Sequence, residues 1–335
     1  MNSQLNIAIV AGGNSSEAEI SLRGAAQMAQ WLDSQLYVAH TVLVSGTQWT
    51  LKHPQHGDIA VSRDDFAAPL PNGERLRFDC ALVMIHGTPG ENGLLQGYLE
   101  LMGIPHTTCS TMSAAITFNK FVCKELVRST GVGLARGVLI RRSQPFDAQA
   151  LVAELGLPLF VKPNASGSSY GVSKVKAVAD LPVAIEAALL EGDDVLVEEF
   201  IGGREFSCGV FKPKGAPEVL MPVTEIISHT EFFDYNAKYN HQSNEVTPAQ
   251  IPVELSDALQ QMASRIYDRL QCSGIVRVDY IVTPEGNPYF LEINTVPGMS
   301  AESIIPQQVR AMGSTMREVL NQVIADAMQR QAPRR

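Results

Sequence analysis

Ile275-Val-Arg-Val-Asp-Tyr-Ile-Val282 and Tyr289-Phe-Leu-Glu-Ile-Asn294, separated by Thr283-Pro-Glu-Gly-Asn-Pro288, read as two strands joined by a turn. Centring the loop on Glu285-Gly286 sets Asp279 opposite Glu292 and Arg277 opposite Asn294. Period-2 alternation puts those four on one face. It puts Val276, Val278, Tyr280, Leu291 and Ile293 on the other, a mostly apolar set suited to a core. Two carboxylates with Cβ atoms roughly 5 Å apart repel and weaken a sheet. A hard divalent cation between them reverses that sign, and an all-oxygen set of two carboxylates and an Asn carbonyl favours Mg²⁺ over Zn²⁺. The competing reading is a solvated face on which Arg277 bridges both acids.

Working outward, 335 residues suffice for two or three domains with a sizeable core. A hydrophobic content of 45% with 18% charged residues is that of an ordinary globular protein. Lys and Arg number 26 against 35 Asp and Glu, and the net charge of −9 argues against a general nucleic-acid binder. It leaves room for a locally basic nucleotide pocket. Five cysteines without C-x-x-C spacing fit neither a disulfide framework nor a zinc site, and suit a reducing cytoplasm. No apolar run has membrane-spanning length and no charged-then-apolar leader opens the chain. The expectation is a cytoplasmic α/β protein.

Strand and helix patterns alternate through residues 5–105, interrupted by an irregular polar stretch around Gln48–Gly73. Leu5-Asn-Ile-Ala-Ile-Val10 is an apolar strand that runs through Ala11-Gly-Gly-Asn14 into a helix from about Glu17 to Trp31. Ser16 and Glu19 have capping-box spacing, which accounts for Glu19 locally. Glu17 lies at the carboxyl end of the first strand, where ligands gather in open α/β sheets. It either complements the helix dipole or holds a substrate ammonium. The glycines here lack G-x-G-x-x-G spacing, so dinucleotide binding is not supported. Cys80-Ala-Leu-Val-Met-Ile85 is another such strand, and His86-Gly-Thr-Pro-Gly-Glu-Asn-Gly93 after it is a second loop on the ligand-bearing edge. Leu94–Leu101 then reads as a helix.

Leu157-Pro-Leu-Phe-Val161 is a buried-looking strand ending in Lys162-Pro163. In the Gly/Ser loop that follows, Gly167, Ser168, Ser169 and Gly171 can bring backbone N–H groups and hydroxyls to a polyphosphate, with Lys162 as a point charge. The spacing is not that of a P-loop, and such a loop alone is equally a flexible connector. Val195-Leu-Val-Glu-Glu-Phe-Ile201 adds a strand with an acidic pair, followed by Gly202-Gly-Arg-Glu-Phe206. Lys120, in Phe118-Asn-Lys-Phe-Val-Cys-Lys124, is a second candidate phosphate lysine or a solvated helix charge. Residues 228–249 form a long polar loop with four aromatics in eight residues (Phe232, Phe233, Tyr235, Tyr239), more than a solvated segment needs. The tail from Gln331 is expected to fray.

Together these pieces resemble a known family. Lys162 with Gly167-Ser-Ser-Tyr-Gly171, Val197-Glu-Glu-Phe-Ile201, and Arg277-x-Asp279 with Glu292-x-Asn294 resemble the ATP-grasp fold. With Glu17, the His86 loop and Asp234-Tyr-Asn-Ala-Lys-Tyr239 added, the chain resembles the D-alanine–D-alanine ligases over nearly its whole length. The departures are Asn92, where the family often has Asp, and Tyr280, where an aliphatic residue is usual.

The resemblance implies an N-terminal Rossmann-like parallel α/β domain over 1–105. A two-subdomain ATP-grasp fold follows: a central domain over 106–202 and a C-terminal domain over 203–335, which carries the lid 228–249 and the metal hairpin 275–294. It implies joining of two D-alanines with ATP through an acyl-phosphate, releasing ADP and phosphate, for peptidoglycan precursors. Glu17 would hold the ammonium of the first D-alanine, with Ser168 and Tyr239 as hydrogen-bonded companions, and His86 would steady that substrate. Lys120, Lys162 and Lys238 are similar to the phosphate-contacting lysines, alongside the loop residues Gly167 and Ser169. Glu198, Glu199, Ile201 and Glu205 fall in or beside the adenosine positions, with Ile281 and Phe290 as walls for the adenine. Asp279, Glu292 and Asn294 would hold two Mg²⁺ ions, with Mn²⁺ as a substitute. Arg277 and the Gly298 N–H resemble an oxyanion-stabilising pair, and Ser303 with Ile304 the site for the second substrate. Family members are commonly homodimers. D-serine or D-lactate as second substrate stays open, with Tyr239 counting against lactate, as does a nucleotide-binding module without chemistry. Such a module would lack a metal ligand or the oxyanion arginine, and both are present.

Overall fold

The protein is seen in a computed structural model that describes residues 4–15, 17–167, 170–228 and 243–331. Three sheets organise it. In the first, β1 (Leu5–Gly12) buries Ile7 to Ala11 completely and pairs in parallel with β2 (Tyr37–Ser45) and β7 (Cys80–Val83). Between β1 and β2 runs α1 (Ala18–Trp31), with Glu17 in the N-cap position and no side-chain cap. Ser16, the expected partner of Glu19, lies outside the described residues.

The stretch expected to be irregular contains β3 (Gln48–His53) and β4 (Gly57–Ala60), which extend this sheet in antiparallel fashion to the order β4-β3-β2-β1-β7. A two-stranded ribbon, β5 (Ala67–Pro69) with β6 (Arg75–Arg77), follows it. The sheet is therefore mixed, not wholly parallel. Its edge hairpin escaped the sequence reading because Leu51 alone of β3 is buried and β4 buries nothing, so the apolar alternation of a strand is missing.

α2 (Leu94–Leu101), α3 (Thr111–Phe118) and α4 (Lys120–Val127) lead onward. Asn119 caps α4 by accepting the Val122 N–H at 3.0 Å, which fixes where Lys120 starts the helix. The second sheet is antiparallel, in the order β10-β9-β11-β8. It is built from β8 (Gly137–Arg141), β9 (Leu159–Pro163), β10 (Ser173–Val175) and β11 (Asp194–Glu199). Two helices, α5 (Ala148–Leu155) and α6 (Leu181–Leu190), cover one side through Leu151, Leu155, Ile185 and Ala188.

The third sheet runs β15-β14-β12-β16-β17, with β13 attached to β12. Its strands are β12 (Arg204–Phe211), β13 (Val219–Leu220), β14 (Thr224–Ser228), β15 (Ser243–Val246), β16 (Val276–Val282) and β17 (Pro288–Asn294). The helix α7 (Val253–Arg269) packs Leu259, Ala263 and Ile266 with Phe206, Val278 and Tyr280. α8 (Ile304–Ala311) and α9 (Met316–Arg330) close the chain, and α9 places Val319, Leu320 and Val323 in one core with Ile7, Ile9 and Leu82 of the first sheet. The last helix thus ties the first sheet to the third.

The β16/β17 hairpin has the expected pairs Arg277–Asn294 and Asp279–Glu292. A β-bulge beyond Asp279 then shifts the register, so Tyr280 faces Phe290 and Ile281 faces Tyr289. Leu291, expected in the core, becomes the unpaired residue and lines the cleft described next, while Phe290 is 2% exposed and joins the core.

Candidate active site

A cleft enclosing about 1050 Å³, part of it open to solvent, lies between the second and third sheets. One wall comes from β9, β11 and the Gly/Ser loop, the other from β16 and β17, with α4 at the end. Lys120, Lys162, Gly167, Glu198, Glu199, Ile201, Glu205, Arg277, Asp279, Phe290 and Glu292 all line it, although they come from segments up to 172 positions apart in the chain (120 to 292). Ile281 lies there too, and Phe160, Tyr289 and Leu291 add apolar wall. A large apolar cleft with a few convergent charges is the usual form of a nucleotide or cofactor site.

Charge is arranged along its length. Glu198, 4% exposed, is paired with Lys124 through Oε1 and with Lys162 through Oε2 at 2.6 Å. Burial opposes its ionisation, but Lys124 and then Lys162 outweigh it and hold the carboxyl at about 2. Lys120 donates to the Ser166 carbonyl at 2.6 Å and lies 3.6 Å from Glu292. Asn164 joins these parts. Its Oδ1 accepts the Phe121 N–H at 2.9 Å, its carbonyl accepts the Lys120 N–H at 2.9 Å, and its Nδ2 donates to Asn119. Glu199 is turned away from this network, its carboxylate engaged by Arg136 at 2.6 Å.

On the hairpin, Arg277 grips Asp279 with two nitrogens, Nε to Oδ1 at 2.9 Å and Nη2 to Oδ2 at 2.8 Å. Asn294 Nδ2 donates to Asp279 Oδ2 at 2.9 Å, and Ser207 on the neighbouring strand donates to Oδ1. Burial works against the Arg277 charge, yet Asp279 keeps it protonated. Arg277 thus pairs with Asp279, while Lys120 stands beside Glu292. The donor set fits Mg²⁺: two carboxylates in register and an amide with a carbonyl oxygen. Among the described residues no group of three or more His, Cys, Asp or Glu surrounds a common metal position, so the amide is needed to complete the set.

At the other end, the loops of the first sheet meet the Gly/Ser loop. Ser15 Oγ donates to the His86 carbonyl at 2.9 Å, and the Gly87 N–H donates to Glu91 Oε2 at 2.8 Å. Glu91 Oε1 also accepts the Val296 N–H at 3.3 Å, which couples the His86 loop to the segment before Gly298. Glu17 is 6% exposed, and a Cβ placed on Gly167 would lie 3.0 Å from its Oε2. Only a glycine lets that backbone come so near the carboxylate. His86 is 8% exposed, and its Nε2 has no hydrogen-bond partner among the described residues. Burial lowers its pKa, and Glu17 pulls in the opposite direction. Asn92 braces the loop twice, donating to Thr88 Oγ1 at 3.1 Å and accepting the Leu94 N–H at 3.3 Å. The second of these is a bond an aspartate would also accept.

Gly298 adjoins Ser303, whose Oγ accepts the Ser300 N–H at 3.1 Å at the start of α8. Ile304, the first residue of α8, is 5% exposed. Ser168, Ser169, Lys238, Tyr239 and residues 229–242 of the expected lid lie outside the described residues. Sequence reading missed Lys124, Asn164 and Ser207. Lys124 carried a signal, since it stands one turn from Lys120 on the same face of α4.

Family models for the D-ala D-ala ligase N-terminus and C-terminus match residues 6–109 and 126–325. The chain belongs to the D-alanine–D-alanine ligase family. A D-alanine–D-alanine ligase of Phocaeicola vulgatus is 45% identical to this ligase over 318 residues, 95% of this chain and 98% of the relative. Among solved structures, the VanG D-Ala:D-Ser ligase from Enterococcus faecalis superposes with a TM-score of 0.86 at 30% identity, over 97% of this chain and all of that one. The Bacillus anthracis D-alanine–D-alanine ligase complexed with ATP gives 0.78 at 28% identity, over 98% and 99%. These neighbours share the ATP-grasp architecture that the three sheets of the ligase display. No helix among its described residues is long and apolar enough to cross a membrane.

Proposed function

We propose that this ligase joins two D-alanine molecules to D-alanyl-D-alanine, consuming ATP through an acyl-phosphate and releasing ADP and phosphate. The observation that carries the reading is one continuous site. The lysine-lined cleft, the Asp279/Glu292 hairpin with Arg277, and the Glu17/His86 loops meet around Gly167. The curated relatives are D-alanine–D-alanine ligases at about 45% identity, against 30% for the D-Ala:D-Ser ligase structure.

ATP occupies the cleft with its base near Ile201, Ile281 and Phe290 and its phosphates near Lys120 and Lys162. Asp279, Glu292 and Asn294 would hold Mg²⁺, two ions, for which Mn²⁺ could substitute. The bound metal supplies neutralisation of polyphosphate charge. Glu17 takes the ammonium of the first D-alanine, and His86 borders it. The carboxylate of this first D-alanine forms a bond to the γ-phosphorus as the bond to ADP breaks. The amine of the second D-alanine then adds to the acyl carbon, and phosphate leaves. Arg277 and the Gly298 N–H stabilise the oxyanion that forms in between. The N-terminus of α8 at Ser303 and Ile304 receives the second carboxylate.

In our reading the units 1–105, 106–202 and 203–335 form this site together, the protein is a cytoplasmic homodimer, and the product feeds peptidoglycan precursor synthesis. The test is phosphate release: ATP with D-alanine yields ADP, phosphate and dipeptide, and L-alanine yields little. Absence of amino-acid-dependent turnover with Mg²⁺ or Mn²⁺ would sink the ligase reading.

A further inference from the structure

Lys124 is a charged residue of the cleft that no step above uses. It is 6% exposed, sits on α4 one turn after Lys120, and shares Glu198 with Lys162, each lysine holding one carboxylate oxygen. The three groups come from three elements: Lys124 from α4, Lys162 from the end of β9, and Glu198 from β11. Two cations face one anion, so the cluster carries one surplus positive charge in a nearly dry wall.

We propose that Lys124 is a positioning residue whose task is to keep Glu198 neutralised so that Lys162 is free to leave it for nucleotide phosphate. Resting on the ATP reading of the cleft, the argument is one of charge conservation. Lys162 stands at the mouth of the Gly/Ser loop and is one of the two lysines assigned to phosphate above. If it were Glu198's only partner, moving to a phosphate would strand a buried carboxylate without a counter-charge, which is strongly unfavourable. With Lys124 on the other oxygen, the transfer leaves an intact buried pair behind. Lys120 cannot take this part, because its ammonium is directed to Ser166 and Glu292.

The consequence is a selective one. Lys124→Met should weaken ATP and ADP by about tenfold or more and leave adenosine, which has no phosphate, within about twofold. Lys124→Arg, which keeps the cation, should bind all three like the parent protein. Titration calorimetry of the whole chain with each nucleotide and Mg²⁺ reads these affinities directly. Turnover is not required, so a chain that binds ATP but makes no dipeptide would sink the ligase reading and leave this measurement standing. Equal losses for adenosine and ATP would show a merely structural lysine and overturn the proposal, as would unchanged ATP affinity in folded Lys124→Met or no ATP binding by the parent chain. Should the methionine variant fail to fold, Lys124→Gln, which retains an N–H for Glu198 without the charge, carries the same prediction and the same refutation.

Discussion

Glu91 shows how burial, reinforced by the Glu17 and Glu292 carboxylates, sets the charge state of a residue that the fold uses as a strap. It is 7% exposed, and burial pushes its carboxyl up to about 7, against the pull of the Gly87 N–H. An unfolded chain loses that proton near 4.5, so between 4.5 and about 7 the native state binds more protons than the unfolded state. Stability from this group therefore falls as pH rises through that window, by about 3 kcal/mol. Urea unfolding at pH 5 and at pH 7.5 should show Glu91→Gln gaining on the parent protein at the higher pH. A constant gap between the two would mean Glu91 does not titrate there. Glu292 gives the complementary case, in which chemistry and stability separate. It is only partly buried, beside Lys120, so Glu292→Gln should keep the melting temperature within a few degrees while lowering kcat at least 100-fold. Near-normal turnover at saturating Mg²⁺ would remove Glu292 from the metal site. Both residues could be singled out in the sequence, Glu292 by its strand position and Glu91 by its glycine-rich loop. That Glu91 also reaches Val296 could not, because the two are 205 residues apart and only packing brings them together.

At the scale of the element, the hairpin was readable because alternation and turn chemistry are local. Val276, Val278 and Tyr280 are each fully buried, as their spacing requires. The bulge was not readable, because nothing in the order of residues 289–292 says which of two neighbouring apolar side chains turns inward. Tyr280 fills the core between β16 and α7, and its hydroxyl reaches the Leu259 carbonyl only at 3.4 Å. Tyr280→Ala should thus cost about 3–5 kcal/mol in chemical denaturation, and Tyr280→Phe less than about 1 kcal/mol. A large loss in the phenylalanine variant would mean the hydroxyl, not the ring, is what α7 needs. In the Gly/Ser loop, Gly167→Ala brings a methyl group to 3.0 Å from Glu17 Oε2. We expect the KM for D-alanine to rise roughly tenfold in initial-rate measurements, with the ATP KM little changed. An ATP effect of equal size would place the strain in the cleft instead.

On the scale of the whole molecule, the site exists because three sheets meet around it: one core joins the first sheet to the third, and the second sheet keeps a core of its own. α9 is central to this arrangement, since its Val319 and Leu320 seal the first sheet while its chain neighbours carry Gly298 and Ser303. Second-substrate choice is a property of that assembly. Supplied with D-alanine, D-serine and D-lactate in competition, the protein should release D-alanyl-D-alanine as the dominant product by chromatography. A D-alanyl-D-serine majority would move it toward the function named for the E. faecalis neighbour.

The sequence by itself determined the elements and the chemistry each one offers. Asp279, Glu292 and Asn294 share one hairpin, Lys162 precedes a Gly/Ser loop, and His86 and Glu17 end strands of an α/β unit. Those facts follow from periodicities of two and 3.6 residues and from turn residues acting over a few positions. The tertiary structure alone decided which charges meet. It set Lys124 and Lys162 on the two oxygens of Glu198, closed Arg277 on Asp279, and added an edge hairpin whose polar pattern hid it. Side-chain pairing between distant segments depends on how whole cores pack, and local patterning carries no record of that.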